Sequence, residues 1–372
     1  MVETREVRSR AELRAFVAFP ERLYGDHPCY VPKLLGDERR TLTRETNPAF
    51  EFCDARCWMA FRNGEPVGRI AGIINRRYIE IWGHKRARFG WLDFIDDHEV
   101  SAALLHEVEA WARSNGLEQV HGPLGFCDMD REGVLVDGFD ELDLLITNYN
   151  FPYYPEHLQR LGYAKDVDWV EYLMRVPEVM PDKVDRLSRI VLGRSNLRLL
   201  RTVHRKDLLP YVKGVFDLLN ETYKDLYAVV PLTDRQVAHY TKAFFGLIDH
   251  ELVKIILDHD GQVAAVGIAM PSLSRGLQRC RGSLLPFGFF HLLRGMRTTD
   301  RLDLLLTGVR PDLQNKGINS VLINEVWRTA SRRRMKWCET GPQLETNWRI
   351  QAQWKHFDRR QHRRRRCFVK TL

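Results

Sequence analysis

Short apolar runs recur along this chain, and one stretch alternates with a period of two. Between them apolar positions repeat with a period of about 3.6, the mark of amphipathic helices. Cys57–Phe61 and Pro66–Ile74 are apolar runs joined by Arg62-Asn63-Gly64-Glu65. Asn-Gly between such runs predicts a hairpin, because both residues tolerate the positive φ of a tight turn. Phe89–Ile95 alternates as a third strand. From Asp97 or Ser101 onward Ala103, Leu104, Val108 and Trp111 share one side of a helix, which Asn115-Gly116 ends. Leu117–His121 predicts a short strand, 150–161 a helix opened by proline, and Tyr163–Val176 a long strand.

The second part runs through a similar succession. Leu197–Leu200 predicts a strand, and Asp207–Leu219 and Asp234–Leu247 amphipathic helices. Val253–Asp258 and Val263–Met270 flank an Asp260-Gly261 turn and predict a second hairpin. Leu302–Val309 is a strand pattern, followed by a polar turn and a helix from Ile318 to about Arg333. A strand at Met335–Thr340, a helix at Trp348–Phe357 and a strand at Cys367–Lys370 close the chain. Pro271–Arg297 is an insertion whose apolar centre, Leu284–Leu293, is too short to span a bilayer. It reads as a helix or lid packed on the active face, with contact to a membrane surface as the alternative. Two halves with the same order of elements imply an internal repeat, on order rather than identity.

With 372 residues the chain suits two domains. The pattern places them at 1–177 and 197–372, with a polar, partly helical linker at 178–196. No apolar run reaches the length of a membrane span, and the charged N-terminus lacks a signal-peptide core, so a cytoplasmic location is expected. The seven cysteines are odd in number and scattered, which suits reduced thiols. Cys53 and Cys57 lack a second pair with metal-ligand spacing, so no metal is expected. The net charge of +8 concentrates in Arg332–Arg334 and Arg359–Arg366. Such runs read as a solvated basic face, or as a contact for nucleic acid, acidic lipid or a phosphorylated cofactor. No aromatic residue interleaves them, which argues against a nucleic-acid platform.

The stretch that carries chemistry is Leu302–Val326. A strand feeds Arg310-Pro311-Asp312-Leu313-Gln314-Asn315-Lys316-Gly317, and the turn opens a helix. Free amides at a helix start, the positive end of its dipole and Lys316 all favour an anion, and Gly317 brings no Cβ into the way.

This order of elements, with Gln314-Asn315-Lys316-Gly317-Ile318-Asn319 between strand and helix, resembles the GNAT N-acyltransferase superfamily in tandem form. The family pattern there is Gln or Arg, two residues, Gly, one residue, then Gly or Ala; Asn319 departs from it. The resemblance implies an α/β (α+β mixed) fold of two GNAT-like domains, each a mostly antiparallel twisted sheet flanked by helices. It implies acetyl-CoA or a longer acyl-CoA as co-substrate. Gln314, Asn315, Lys316, Gly317, Ile318, Asn319 and Ser320 would hold the pyrophosphate, and Leu306, Thr307, Gly308 and Val309 would run beside the pantetheine arm. Asn347 matches an Asn that contacts pantetheine, but Trp354 stands where the family places a Tyr that protonates the leaving thiolate. Glu339 and Glu345 are the candidate bases.

The first half also resembles the family, in Leu161-Gly162-Tyr163 and in Asn150 with Tyr153 or Tyr154. Its loop Asp96–Val100 has no glycine and three acids, so that half is expected to be degenerate for coenzyme A. Trp91, Asp93, Tyr149, Asn150, Tyr153 and Tyr154 would line an acceptor groove or form core. Fem-type aminoacyl transferases and N-myristoyltransferases share the paired architecture more distantly. The expected function is acyl transfer from acyl-CoA to a small-molecule or peptide amine. The alternatives are a binding protein without chemistry and a transferase that uses an aminoacyl-tRNA donor.

Overall fold

A computed structural model describes residues 1–179 and 182–372. Asn63 and Gly64 take φ of +53° and +82°, as the hairpin turn requires. In chain order the first elements are β1 (Val2–Glu6), α1 (Arg10–Tyr24), α2 (Leu35–Thr41), β2 (Cys53–Arg62), β3 (Glu65–Asn75), α3 (Arg76–Trp82) and β4 (Arg86–Phe94). There follow α4 (His98–Ser114), β5 (Gln119–Gly122), β6 (Val134–Asp137), α5 (Tyr153–Arg160) and β7 (Ala164–Arg175). The second part has α6 (Asp182–Arg194), β8 (Arg198–Leu199), α7 (Val212–Tyr223), α8 (Asp234–Phe244), β9 (Val253–Leu257) and β10 (Val263–Pro271). The insertion supplies α9 (Ser274–Cys280) and α10 (Gly288–Thr298). Then come β11 (Arg301–Val309), α11 (Ile318–Arg332), β12 (Trp337–Thr340), β13 (Gln343–Leu344), α12 (Trp348–Ala352) and β14 (Arg359–Thr371).

The chain divides into two units, Met1–Val170 with Leu273–Gly295 and His362–Leu372, and Glu171–Ser272 with Met296–Gln361. In the first unit the strands run β1-β2-β3-β4-β5-β14, and in the second β8-β9-β10-β11-β12-β7. Orientations match strand for strand: three antiparallel pairs, a parallel pair (β4 with β5, β11 with β12), then an antiparallel one. The sixth strand comes from the other half of the sequence in both cases. Phe368–Thr371 of β14 pairs with Gly122–Gln119, and Leu173–Arg175 of β7 pairs with Glu339–Trp337.

Several stretches, 171–177 among them, therefore sit elsewhere than their sequence position suggests. Residues 273–295 and 362–372 lie inside the expected second domain in sequence but pack in the first unit. The reason for the insertion is hydrogen bonding: Ser274 Oγ donates to Asp143 O at 2.8 Å, and Gln278 Nε2 donates to Pro28 O and Tyr30 O. The expected linker contains α6, whose Val191 and Leu192 pack on the core cluster of Val309, Ile318 and Leu322. Met180 and Pro181 of that stretch lie outside the described residues.

Alternation along β9 and β10 builds the second unit as a layered core. Ile256, Ala264 and Ala265 pack with α11, while Val253, Ile255, Leu257 and Val266 pack with Val215, Leu218 and Leu219 of α7. In the first unit Ile70, Phe89, Phe94, Leu104, Val108, Val120 and Phe368 share one cluster.

Arg332, Arg334 and Arg360 are exposed, but most of the arginine run is not a solvated face. Arg363 and Arg365 are fully buried in β14. Arg365 Nη2 pairs with Asp143 Oδ1 at 3.1 Å, and Arg364 and Arg366 both reach Asp168, at 2.9 and 2.7 Å. Arg333 pairs with Asp249 and Glu251. Burying such cations is expensive unless each finds a carboxylate or carbonyl, and these do.

Candidate active site

The site begins with a register shift. Leu306 opposes Ile268 and Leu304 opposes Ala269, so Leu305 is an extra residue in β11. Such a bulge bends its strand. The parallel pairing with β12 ends at Leu304 opposite Thr340, while β11 continues to Val309. Beyond Leu304 the far edge of β11 turns toward other partners. Thr307 N donates to Tyr223 Oη at 3.2 Å, and Tyr223 Oη donates to Thr307 O at 3.0 Å. Backbone donors alternate between the two edges of a strand, so the Val309 amide faces the same side as that of Thr307. Gln314 Nε2 donates to Val309 O at 3.2 Å and ties the loop to the strand end. Arg310 reaches Asp258 and Asp312, each at 2.7 Å, and holds both carboxyls below their usual range by hydrogen bonding.

Gly317 is the N-cap of α11, with φ +81° and no side-chain cap over the first turn. A Cβ there would also meet Val191 Cγ2 at 3.4 Å. Glycine is thus required by the turn itself, as well as by any close approach of a ligand. Asn315 is left-handed too, at φ +61°. Gln314, Asn315, Lys316, Gly317 and Ser320 are exposed, Asn319 is half-buried, and Ile318 is buried in the core. Ile318 therefore anchors the loop and leaves the others to present it. The uncapped amides of the first turn, beside exposed Lys316, fit a phosphate group.

The remaining candidates are more constrained. Glu339 is 2% exposed and pairs with Arg301 at 2.5 Å. Its carboxylate is buried in the sheet and paired, which leaves little of it open to an acceptor amine. Glu345 is half-buried between β13 and α12. Asn347 Oδ1 accepts from Ile350 N at 3.4 Å and caps α12. Trp354 is buried, donates Nε1–H to Gln343 Oε1 at 2.9 Å, and packs beside Phe357. Sequence reasoning missed Tyr223. No local pattern links it to a strand 84 residues away.

The first unit repeats the bulge. Asp93 opposes Arg69 and Gly90 opposes Ala71, which leaves one extra residue in β4, and Trp91 there takes φ +46°. Pairing with β5 ends at Arg88 opposite His121. Here the space beyond is filled. Leu124 N donates to Phe89 O at 2.8 Å, and Leu124 O lies 2.6 Å from where a Cβ of Gly90 would be. Asp97 Oδ1 accepts from Glu99 N at 2.9 Å and Val100 N at 3.4 Å, closing the start of α4, and Arg62 pairs with Asp97 and Glu99.

Trp91, Asp93, Tyr149, Asn150 and Tyr154 do line one cavity, of about 40 Å³; Tyr153 does not. That volume suits a few water molecules. Its walls are a hydrogen-bonded set. Arg69 Nε and Tyr24 Oη donate to Asp93 at 2.7 and 2.9 Å, Tyr24 Oη contacts Tyr154 Oη, and Phe94 N donates to Tyr154 Oη at 2.9 Å. Burial raises the phenols of Tyr24 and Tyr154 well above their usual range. Burial likewise pushes the thiols of Cys53 and Cys57 up to about 12. His121, Asp166 and Cys367 come together in this unit, but Arg86 already pairs with Asp166 at 2.9 Å.

No family profile matches the chain. It is 27% identical to Protein YghO of Escherichia coli (strain K12) over 98% of this chain and 94% of that protein. It is also 27% identical to the bacterial ceramide synthase of Caulobacter vibrioides over 93% of this chain and 90% of that protein. Among solved structures it is similar to a tandem GNAT protein from the clavulanic acid biosynthesis pathway, with TM-score 0.58, 12% identity, and cover of 100% of this chain and 98% of that one. A protein of Enterococcus faecalis V583 described as a probable N-acyltransferase gives TM-score 0.54 at 8% identity, with cover of 100% and 73%. A GCN5-related N-acetyltransferase of Sphaerobacter thermophilus gives 0.51 at 12% identity, with cover of 100% and 95%. Repeated strand order, repeated bulge and these likenesses agree: the chain has the tandem GNAT fold.

Proposed function

We propose that the protein is an acyl-CoA-dependent N-acyltransferase whose donor site is the β11–α11 junction of the second unit. The observation that carries this reading is the bulged, partly unpaired strand running into a helix whose first turn is uncapped. A phosphate on those amides and an acyl arm along Leu306–Val309 use both features. The thioester supplies the activated carbonyl. The acceptor nitrogen attacks it, a C–N bond forms, the C–S bond breaks, and the amine proton passes to a base or solvent. The Val309 amide is suited to polarise the carbonyl oxygen. Trp354 has no acidic proton to give the departing thiolate, and we assign that role to Tyr223, whose hydroxyl already lies on the strand.

One relative is named a ceramide synthase, and a ceramide is an N-acylated long-chain amino alcohol. A long-chain amine is therefore the acceptor class proposed here. The test is calorimetric titration with acetyl- and palmitoyl-CoA, followed by mass spectrometry of products from a panel of short, long-chain and peptide amines. Saturable binding and an amide of a long-chain amine are expected. Binding with no amide across the panel supports a non-catalytic protein, a reading that the burial of Trp354 and the Glu339–Arg301 pair favour. Absence of binding at millimolar concentration defeats both.

A further inference from the structure

The insertion has a base that is firmly held and a tip that is not covered by the chain. At the base, Gly276 of α9 and Gly295 of α10 touch: a Cβ on Gly295 would lie 3.1 Å from Gly276 Cα. Leu273, Leu277 and Leu292 are buried, and Leu35 N donates to Gly282 O at 3.0 Å. The tip carries Leu285, Phe287, Phe289 and Phe290, of which Leu285 is 83%, Phe287 69% and Phe290 62% exposed. A single exposed apolar side chain is ordinary, but four within six residues form a patch with a use. A well-packed base shows that this exposure is not the result of a loosely attached segment.

Charge indicates what covers the patch. No Asp or Glu occurs between Asp260 and Asp300. Arg275, Arg279 and Arg294 of the insertion are exposed, as is Arg281, which lies 3.6 Å from Glu21. Arg294 follows Phe290 by one helical turn and so shares its face. Exposed aromatic and aliphatic side chains beside cations, on a segment too short to cross a bilayer, match an element that lies in the membrane interface. We infer that the tip, Leu285–Phe290, seats the protein on an anionic lipid surface, with the arginines facing lipid phosphates. This does not depend on the acyltransferase reading.

The test is co-sedimentation of the full chain with vesicles of phosphatidylcholine alone and of phosphatidylcholine with a minority of phosphatidylglycerol. Binding to the anionic vesicles that weakens with added salt is expected. F287S/F290S should partition roughly tenfold or more weakly, and R275Q/R279Q should lose the preference for phosphatidylglycerol. L285W places an indole at an exposed position; its emission should shift to the blue on anionic vesicles. Unchanged melting of each variant keeps these outcomes separate from misfolding. Failure of the wild-type chain to sediment with anionic vesicles overturns the proposal. So does equal partitioning of F287S/F290S, or a patch that instead holds two copies together, read as a wild-type dimer that F287S/F290S converts to monomer.

Discussion

Two helices begin at equivalent places in the two repeats, and they begin in opposite ways. Each follows a strand with one extra residue, Trp91 or Leu305, where the neighbouring parallel strand falls away. At α4, Asp97 places a carboxylate on the amides of Glu99 and Val100, and Arg62 neutralises the acids. At α11, Gly317 offers no side chain, and Lys316 is exposed beside it. A carboxylate on a helix start satisfies the donors that a phosphate needs and repels the phosphate as well. One backbone plan thus yields a closed, self-satisfied junction and an open one. The strand edges differ in the same sense. Phe94 N gives its hydrogen to a buried Tyr154, and Thr307 N to a half-buried Tyr223.

The most severe way to break the contrast is to make α11 resemble α4. In G317E a side chain must occupy φ +81° and bring a carboxylate to the open amides. Like-charge contact with a pyrophosphate costs several kcal/mol, so acyl-CoA affinity should fall roughly hundredfold or more. Strain should cost about 1–3 kcal/mol in unfolding experiments. Affinity within a factor of two of wild type, measured by calorimetry, removes this loop from the donor site.

The paired tyrosines provide the next comparison. Y223F should lower kcat by roughly a hundredfold with little change in the KM for acyl-CoA, as expected for loss of a proton donor. Y154F should instead lower stability by about 1–3 kcal/mol, because the Phe94 amide loses its acceptor in a buried place. Full activity in Y223F with none in a folded Y154F would move the chemistry to the first unit.

Much of this organisation was legible along the chain, because it is local. The Asn63-Gly64 hairpin, the apolar runs of β3 and β10 and the Gln314–Ser320 turn each reside within a few residues. What could not be read depends on partners far away in sequence. Arg363–Arg366 look like solvent-facing charge until Asp143 and Asp168, about two hundred positions earlier, are brought beside them. The exchange of β7 and β14 between repeats leaves no local trace, since each pairs with a strand far from it in sequence. β1 has too few apolar residues to announce itself, and it is held as an edge strand by its pairing with β2. Tyr223 is an ordinary helix-terminal aromatic until Thr307 meets its hydroxyl.

The mildest change tests whether the closed junction is a lock or only a cap. D97A removes the acceptor of two amides and the partner of Arg62, while leaving the Arg62–Glu99 pair. Loss of an N-cap costs about 1 kcal/mol, which urea unfolding resolves. The hydrogen bond from Arg62 and the two amides hold the Asp97 carboxyl below its ordinary value of 3.8. A depressed carboxyl stabilises the fold fully above that value and loses the contribution as pH falls through its lower folded value. The difference between wild type and D97A should therefore be constant at neutral pH and shrink in acid below about pH 4. If Asp97 is only a cap, acyl-CoA titrations of D97A keep a single site, because Leu124 still fills the space beside β4. A second site appearing in D97A would mean that one carboxylate is all that separates the two repeats.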